Sequence, residues 1–185
     1  MKAFLVLLCA PCLIAQAAAP QDLPEYESTV FACGFTVDWP TTLRGWRQGA
    51  DLVVRVRIES QVAFENSKTE WSSDIVTAHE ALVLDLIKGH PRAVAAGAVQ
   101  QILQMGGRIR RTDAFYRQTW NGFPPAAVGS EWVMFLQWDS RLDGFTLFYR
   151  ELGAVQIVDG KIANTGPQQQ WNGRPVEDFL RALKR

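Results

Sequence analysis

Histidine and cysteine are scarce in this chain, with two and three copies in 185 residues. Cys9 and Cys12 have the spacing of a thiol–disulfide centre, but both fall in an apolar start that reads as a removable segment, leaving Cys33 alone. One cysteine and two distant histidines do not supply the four ligands of a structural zinc site. Net charge is also lacking: 19 basic residues stand against 19 acidic ones, and losing Lys2 with residues 1–17 leaves 18 against 19. A near-neutral chain has no field to recruit nucleic acid or anionic lipid, so neither is expected as a partner. There is no Gly-x-Ser-x-Gly elbow, no phosphate-binding glycine loop and no Gly-x-Gly-x-x-Gly, and Ser72, Ser73 and Ser130 lie in no catalytic context. These absences point away from an enzyme, a cofactor or a metal. A domain of roughly 165 residues can bury a core without disulfides.

What is present begins with Met1-Lys2, a nearly unbroken apolar run from Ala3 to Ala15, and the small-x-small triplets Ala15-Gln16-Ala17 and Ala17-Ala18-Ala19. That order predicts a secretory signal peptide over residues 1–17. Cleavage after Ala17 fits better than after Ala19, because Pro20 would then follow the scissile bond. The run is broken by Pro11 and ends at Gln16, short of the roughly 20 residues of a spanning helix. Leu8 and Pro11 stand where a lipid-modified cysteine would need a small residue. The expectation is an exported protein, periplasmic or extracellular, without a stable membrane anchor after cleavage.

Strand signals dominate the rest. Residues 18–50 read as an extended lead-in ending in a helical turn, with Thr41 or Thr42 as cap and Leu43 and Trp46 on one face. From Leu52, apolar Leu52, Val54, Val56 and Ile58 alternate with Val53, Arg55, Arg57 and Glu59. Asp74 to Leu86 places Val76, Ala78, Leu82, Leu84 and Leu86 on one parity, and Lys88-Gly89-His90-Pro91 stops it. Val99 to Met105 ends at Gly106-Gly107, and Glu131 to Trp138 puts Trp132, Met134, Leu136 and Trp138 on one face. Asp143-Gly144 and Asp159-Gly160 are hairpin signals before Phe145–Tyr149 and between Ala154–Val158 and Lys161-Ile162. Residues 106–130 read as a long insertion. Pro175 to Arg185 reads as an amphipathic helix, with Glu177 and Asp178 as first-turn acids. The pattern predicts an all-β-dominated chain: an OB-like antiparallel barrel of five to six strands over 51–165, then a tail and helix over 166–185. Closure is the economical way to remove strand edges.

Three stretches carry a family likeness. Ala50-Asp51-Leu52-Val53-Val54-Arg55-Val56-Arg57 resembles the first barrel strand of the tissue inhibitors of metalloproteases and related netrin-like modules. Leu82-Val83-Leu84-Asp85-Leu86-Ile87-Lys88-Gly89 resembles that family's second long strand and its Lys-Gly corner, and Glu131 to Leu136, with Gly129 upstream, resembles a later strand. The order is also similar to that of exported bacterial domains of uncharacterised function. The likeness covers residues 50–160 and implies an OB-like barrel and a protein-binding role. The family's inhibitors insert a Cys-x-Cys start into the protease, whereas this mature chain would begin near Ala18 or Pro20, and Cys33 has no second cysteine to pair with. Inhibition by that wedge is therefore not expected.

Candidate binding residues lie in the insertion. Arg108, Arg110, Arg111 and Arg117 form a basic cluster interleaved with Phe115, Tyr116 and Trp120. Basic plus aromatic suits a single-stranded nucleic acid platform, but export and neutrality favour an acidic protein or a glycan outside the cytoplasm. The glycan alternative draws on Trp39, Trp71, Trp120 and Trp171 at loops and boundaries, whereas Trp132 and Trp138 read as core packing. A remaining alternative is a hydrolase with a cryptic site near His79. His79 and Glu80 are strand neighbours that point to opposite faces, so His79 is expected at solvent or a rim. His90, before Pro91, is expected at the surface.

Overall fold

The alternation that starts at Leu52 forms a strand, and the strand runs on to Asn66. The computed structural model describes residues 23–30, 40–66, 74–120, 123–163 and 169–185. Among them are strands β1 (Glu25–Val30), β2 (Leu52–Asn66), β3 (Asp74–Lys88), β4 (Val99–Met105) and β5 (Gly107–Arg110). Strands β6 (Phe115–Trp120), β7 (Glu131–Asp139), β8 (Gly144–Leu147), β9 (Ala154–Val158) and β10 (Lys161–Ala163) follow, with helices α1 (Leu43–Gly49) and α2 (Val176–Lys184). The chain is thus β-dominated with a C-terminal helix. The expected signal segment at 1–17, Cys33, Trp39, Trp71 and the serines 72 and 73 lie outside the described residues.

Seven strands make one sheet in the order β10-β9-β7-β2-β3-β4-β8, and β8 also pairs with β7. The β4–β8 pairing is parallel, with Ile102 opposite Phe145; β7 and β8 run antiparallel, with Trp138 opposite Phe145. The remaining strands form a second sheet, β1-β6-β5, in which β1 runs parallel to β6 and β5 antiparallel to it. This architecture corrects three expectations. Residues 106–130 are not a plain insertion loop but hold β5 and β6, and the lead-in contains β1. The pairings are also not all antiparallel.

Strand β7 reads as a nearly continuous apolar run from Trp132 to Leu136, and β2 is apolar on consecutive residues at Leu52–Val54, where both faces are covered. On one face Leu52, Val54, Val56 and Ile58 meet Ala81, Val83, Ile102, Met134, Leu136, Phe145 and Leu147. Trp132 and Trp138 pack against this cluster, as expected of them. On the other face Val53, Val133 and Phe135 meet Val155, Ile157 and Ile162 under the two helices. Helix α1 supplies Leu43, Trp46 and the following Ala50; α2 supplies Val176, Phe179, Leu180 and Leu183. Burying each such side chain stabilises by about 1.5–3 kcal/mol. The α1 cap is Thr42, whose hydroxyl oxygen accepts from the Gly45 N–H at 3.1 Å.

Strand β3 departs from its expected face. Beyond Ala78 the buried positions are His79, Ala81 and Val83, while Leu86 is exposed. Both parities of this strand carry apolar residues, so a period of two could not choose between them. An irregularity of register in β2 between Ile58 and Ser60 shifts the pairing further. The Asp159-Gly160 signal does form a tight turn, both residues at positive φ (50° and 70°), the geometry of a two-residue hairpin.

Candidate binding cleft

Gly106 and Gly107 turn the chain out of the main sheet at φ of 94° and 148°. A Cβ at Gly107 would lie 2.5 Å from the Thr77 hydroxyl oxygen and 2.9 Å from the Ala63 methyl. Only glycine lets β5 press this closely on the β2–β3 ribbon. The junction is fixed by polar contacts. The Gly106 N–H donates to the Ile75 carbonyl at 2.7 Å, and the Thr77 hydroxyl donates to the Gly106 carbonyl at 2.7 Å. The Ile75 N–H donates to Gln118 Oε1 at 2.8 Å.

Between the ribbon and the second sheet lies a cleft of about 590 Å³. Gln61 and Ala63 of β2 and Thr77 of β3 line it, together with Glu27, Ser28 and Thr29 of β1. Arg108, Arg117 and Thr119 add to its wall, as do Pro124 and Pro125. Its surface is rich in hydroxyls and amides. The Thr29 and Thr119 hydroxyls are 3.2 Å apart and share a hydrogen bond.

Of the residues singled out from the sequence, Arg108 and Arg117 reach this cleft and meet there. Both pair with Glu25, at 3.2 Å and 3.0 Å, and Arg117 also reaches Glu27 at 3.2 Å. Arg108 lies 3.8 Å above the centre of the Phe115 ring. Arg111 pairs with Glu65 and lies 4.4 Å above the Tyr116 ring. Hydrogen bonding to Glu65 raises the pKa of the Arg111 guanidinium above its ordinary value. Tyr116 stacks on Tyr26 with centroids 5.4 Å apart. Arg110 is exposed on β5, and Trp120 closes β6, half-buried. The cluster is therefore less basic than its sequence suggests, because Glu25, Glu27 and Glu65 fold onto it. Exposed pairs of this kind are individually weak, but together they offset most of the cluster's charge.

The acidic partners were missed because they lie far away in sequence. A signal was available: Glu25-Tyr26-Glu27-Ser28-Thr29-Val30 alternates charged or polar with apolar residues, as strands do.

His79 is a second correction. It is 0 % exposed, facing inward rather than to solvent or a rim. Its register partners are Gln61 on β2 and Ile102 on β4. Both ring nitrogens are buried. Burial lowers its pKa from 6.5 to about 4, opposed in part by the Gln104 side chain, so the imidazole is neutral at neutral pH. Glu80 is exposed on the opposite face, accepting from the Ser60 hydroxyl at 2.7 Å, and the structure does not bring it to His79.

His90 stacks parallel to Trp138 at 6.3 Å, and Arg92 lies 4.3 Å over the same indole. Trp171 packs edge-on to Phe179 and beneath Arg174. These indole faces are occupied by the protein's own groups. Among the described residues no cluster of three or more His, Cys, Asp or Glu could hold a metal ion, and no helix is long and apolar enough to cross a membrane. No known protein family matches the chain, and no curated protein matches it.

Proposed function

We propose that the protein is an exported, non-catalytic binding module on an OB-like barrel, of the netrin-like type, which binds a partner protein through its second sheet and cleft. The barrel reading is supported by the pairings, which run β2–β3–β4–β8–β7 and return to β2. Such a ring surrounds the cluster from Leu52 to Leu147, and five strands with one parallel closure are what an OB-like barrel requires. The likeness to netrin-like modules falls on the same strands: Ala50-Asp51 opens β2, Leu82–Gly89 ends β3, and Glu131–Leu136 lies in β7. Export is supported by the basic start, apolar run and small-residue exit of residues 1–17.

The observation that carries the binding role is the exposed strand β1, Glu25 to Thr29, along the margin of a cleft of about 590 Å³. Loop and edge surfaces held by a rigid scaffold are where binding residues concentrate. The pairing of three cluster arginines with glutamates favours a protein over a polyphosphate. Tyr26, 56 % exposed, offers an aromatic anchor of the type enriched at interfaces.

The test is recovery of a cross-linked partner from envelope or medium by the chain starting at residue 18. A Tyr26→Ala/Arg110→Glu variant that unfolds at the same temperature should recover at most about a tenth as much, the scale of a centrally placed anchor. Equal recovery refutes the second sheet as the contact surface.

A further inference from the structure

We infer that the open edge of β1 takes one more strand, an extended segment of a partner protein with Lys or Arg at alternate positions. The inference rests on the binding-module reading and names the partner's chemistry.

In the order β1-β6-β5, β1 is terminal. The phase of its backbone follows from one bond. The Phe115 N–H donates to the Pro24 carbonyl at 2.9 Å, and Glu25 stands opposite Phe115 in a parallel register continuous to Val30. In a parallel ladder a residue turns both its N–H and its C=O to one neighbour, and the next residue turns both to the other side. Pro24, Tyr26 and Ser28 therefore face β6. Glu25, Glu27 and Thr29 present their N–H and C=O groups to the open edge, where no described residue pairs with them.

Edges left in this state recruit strands. Of the usual protections β1 carries its two glutamates alone: Glu25-Tyr26-Glu27-Ser28-Thr29-Val30 contains no proline and no lysine, and its register with β6 has no bulge. Residues Glu25 to Thr29 are all exposed.

Charge selects the occupant. Across the sheet, basic Arg108 on β5 and Arg117 on β6 are followed by acidic Glu25 and Glu27 on β1. A strand laid beside this acidic edge is complemented by basic side chains. Glu27 has capacity left, since its side chain is 68 % exposed and meets Arg117 alone among the ion pairs. Opposite charges directly across a strand pair stabilise it, and like charges destabilise it. A second copy of this chain, pairing antiparallel about Glu27, would set Glu27 against itself.

The experiment uses the mature full-length chain and fluorescein-labelled peptides of alternating Lys with Thr or Val. Anisotropy should show saturable binding of the Lys peptide. Replacing its lysines by glutamates should weaken binding at least tenfold, and N-methylating one alternate set of its amides should abolish it. Glu27→Lys should reverse the preference between the two peptides. Thr29→Pro removes an outward N–H while leaving the bonds of Tyr26 and Ser28 to β6. It should weaken the Lys peptide at least tenfold at an unchanged melting temperature.

Lys-peptide binding that ignores both N-methylation and Thr29→Pro overturns the inference, as does no binding. A protein that sediments as a dimer dissociated by Thr29→Pro also overturns it, in favour of a second copy. If the peptide fails while Tyr26→Ala/Arg110→Glu still lowers partner recovery, the edge inference falls and the binding-module reading stands. If the peptide binds at the edge but recovery is unaffected by that variant, the recovered partner does not use the second sheet and the inference falls with that reading.

Discussion

His79→Leu should remove a distinct part of the protein's acid sensitivity, and the size of that part follows from the burial of one imidazole. In the folded chain His79 is fully enclosed and its pKa is lowered by desolvation from 6.5 to about 4, with the Gln104 side chain opposing the shift. Its strand partners Gln61 and Ile102 are uncharged, and Glu80 faces away toward Ser60. Unfolding returns the ring to water, so the unfolded state binds the proton more readily. Stability from this group is complete above pH 6.5 and declines as the pH falls toward 4. Each pKa unit corresponds to about 1.4 kcal/mol, so the decline amounts to roughly 3 kcal/mol, a large share of the 5–15 kcal/mol typical of a folded domain. Urea unfolding followed by tryptophan fluorescence, repeated from about pH 7.5 down to about pH 4, measures it. Carboxylates that titrate near the acid end do so in both proteins and cancel in the difference. Leucine fills a similar volume, so any constant offset between the curves reflects packing, and only their changing separation reflects the proton. The wild type should lose about 3 kcal/mol more than the variant across this window. Parallel curves, or an imidazole in the folded protein that titrates near 6.5 by NMR, would refute the reasoning.

Two further outcomes follow from packing. Gly107→Ala forces a methyl to within 2.5 Å of the Thr77 hydroxyl oxygen and 2.9 Å of Ala63; thermal unfolding should show a loss of about 1–3 kcal/mol, and an unchanged midpoint would mean that β5 does not press on the ribbon as described. Trp46→Ala empties a fully buried site bounded by Phe135, Phe148 and Tyr149 and should cost about 3–5 kcal/mol in urea unfolding, whereas a cost under about 1 kcal/mol would show that α1 is not part of the core.

Local chemistry explains what was readable from sequence. The alternation at Leu52–Ile58, the Asp159-Gly160 turn, the Thr42 cap and the apolar stripe of α2 are each settled within a few residues, and each appears where its pattern places it. What escaped is decided at a distance. The partner of β6 is β1, with Thr29 opposite Thr119, and no short-range signal links strands about 90 residues apart. Arg108, Arg111 and Arg117 looked like an uncompensated basic cluster because Glu25, Glu27 and Glu65 come from other strands. The inward turn of His79 was hidden by apolar residues on both parities of β3 and by the irregularity after Ile58.

That irregularity also separates two parts of β2. Before it, one face of β2 is buried in the Leu52–Leu147 cluster, and the other is covered at Val53 by the helix-side cluster before opening to solvent at Arg57. After it, the ribbon leaves the core: Val62 and Phe64 are 66 % and 40 % exposed, and the second sheet is attached through Gly106, Thr77, Ile75 and Gln118. Hydrogen bonds contribute about 1 kcal/mol each, far less than the buried side chains that hold the first half. The molecule thus divides β2 between a half stabilised by apolar burial and a half that positions a polar cleft and an open strand edge. Regions with few buried apolar contacts are the ones that open and adapt at low cost, a property that fits the proposed binding role. The basic cluster that drew attention in the sequence serves that surface indirectly, by fixing Glu25 and Glu27 on the strand that borders the cleft.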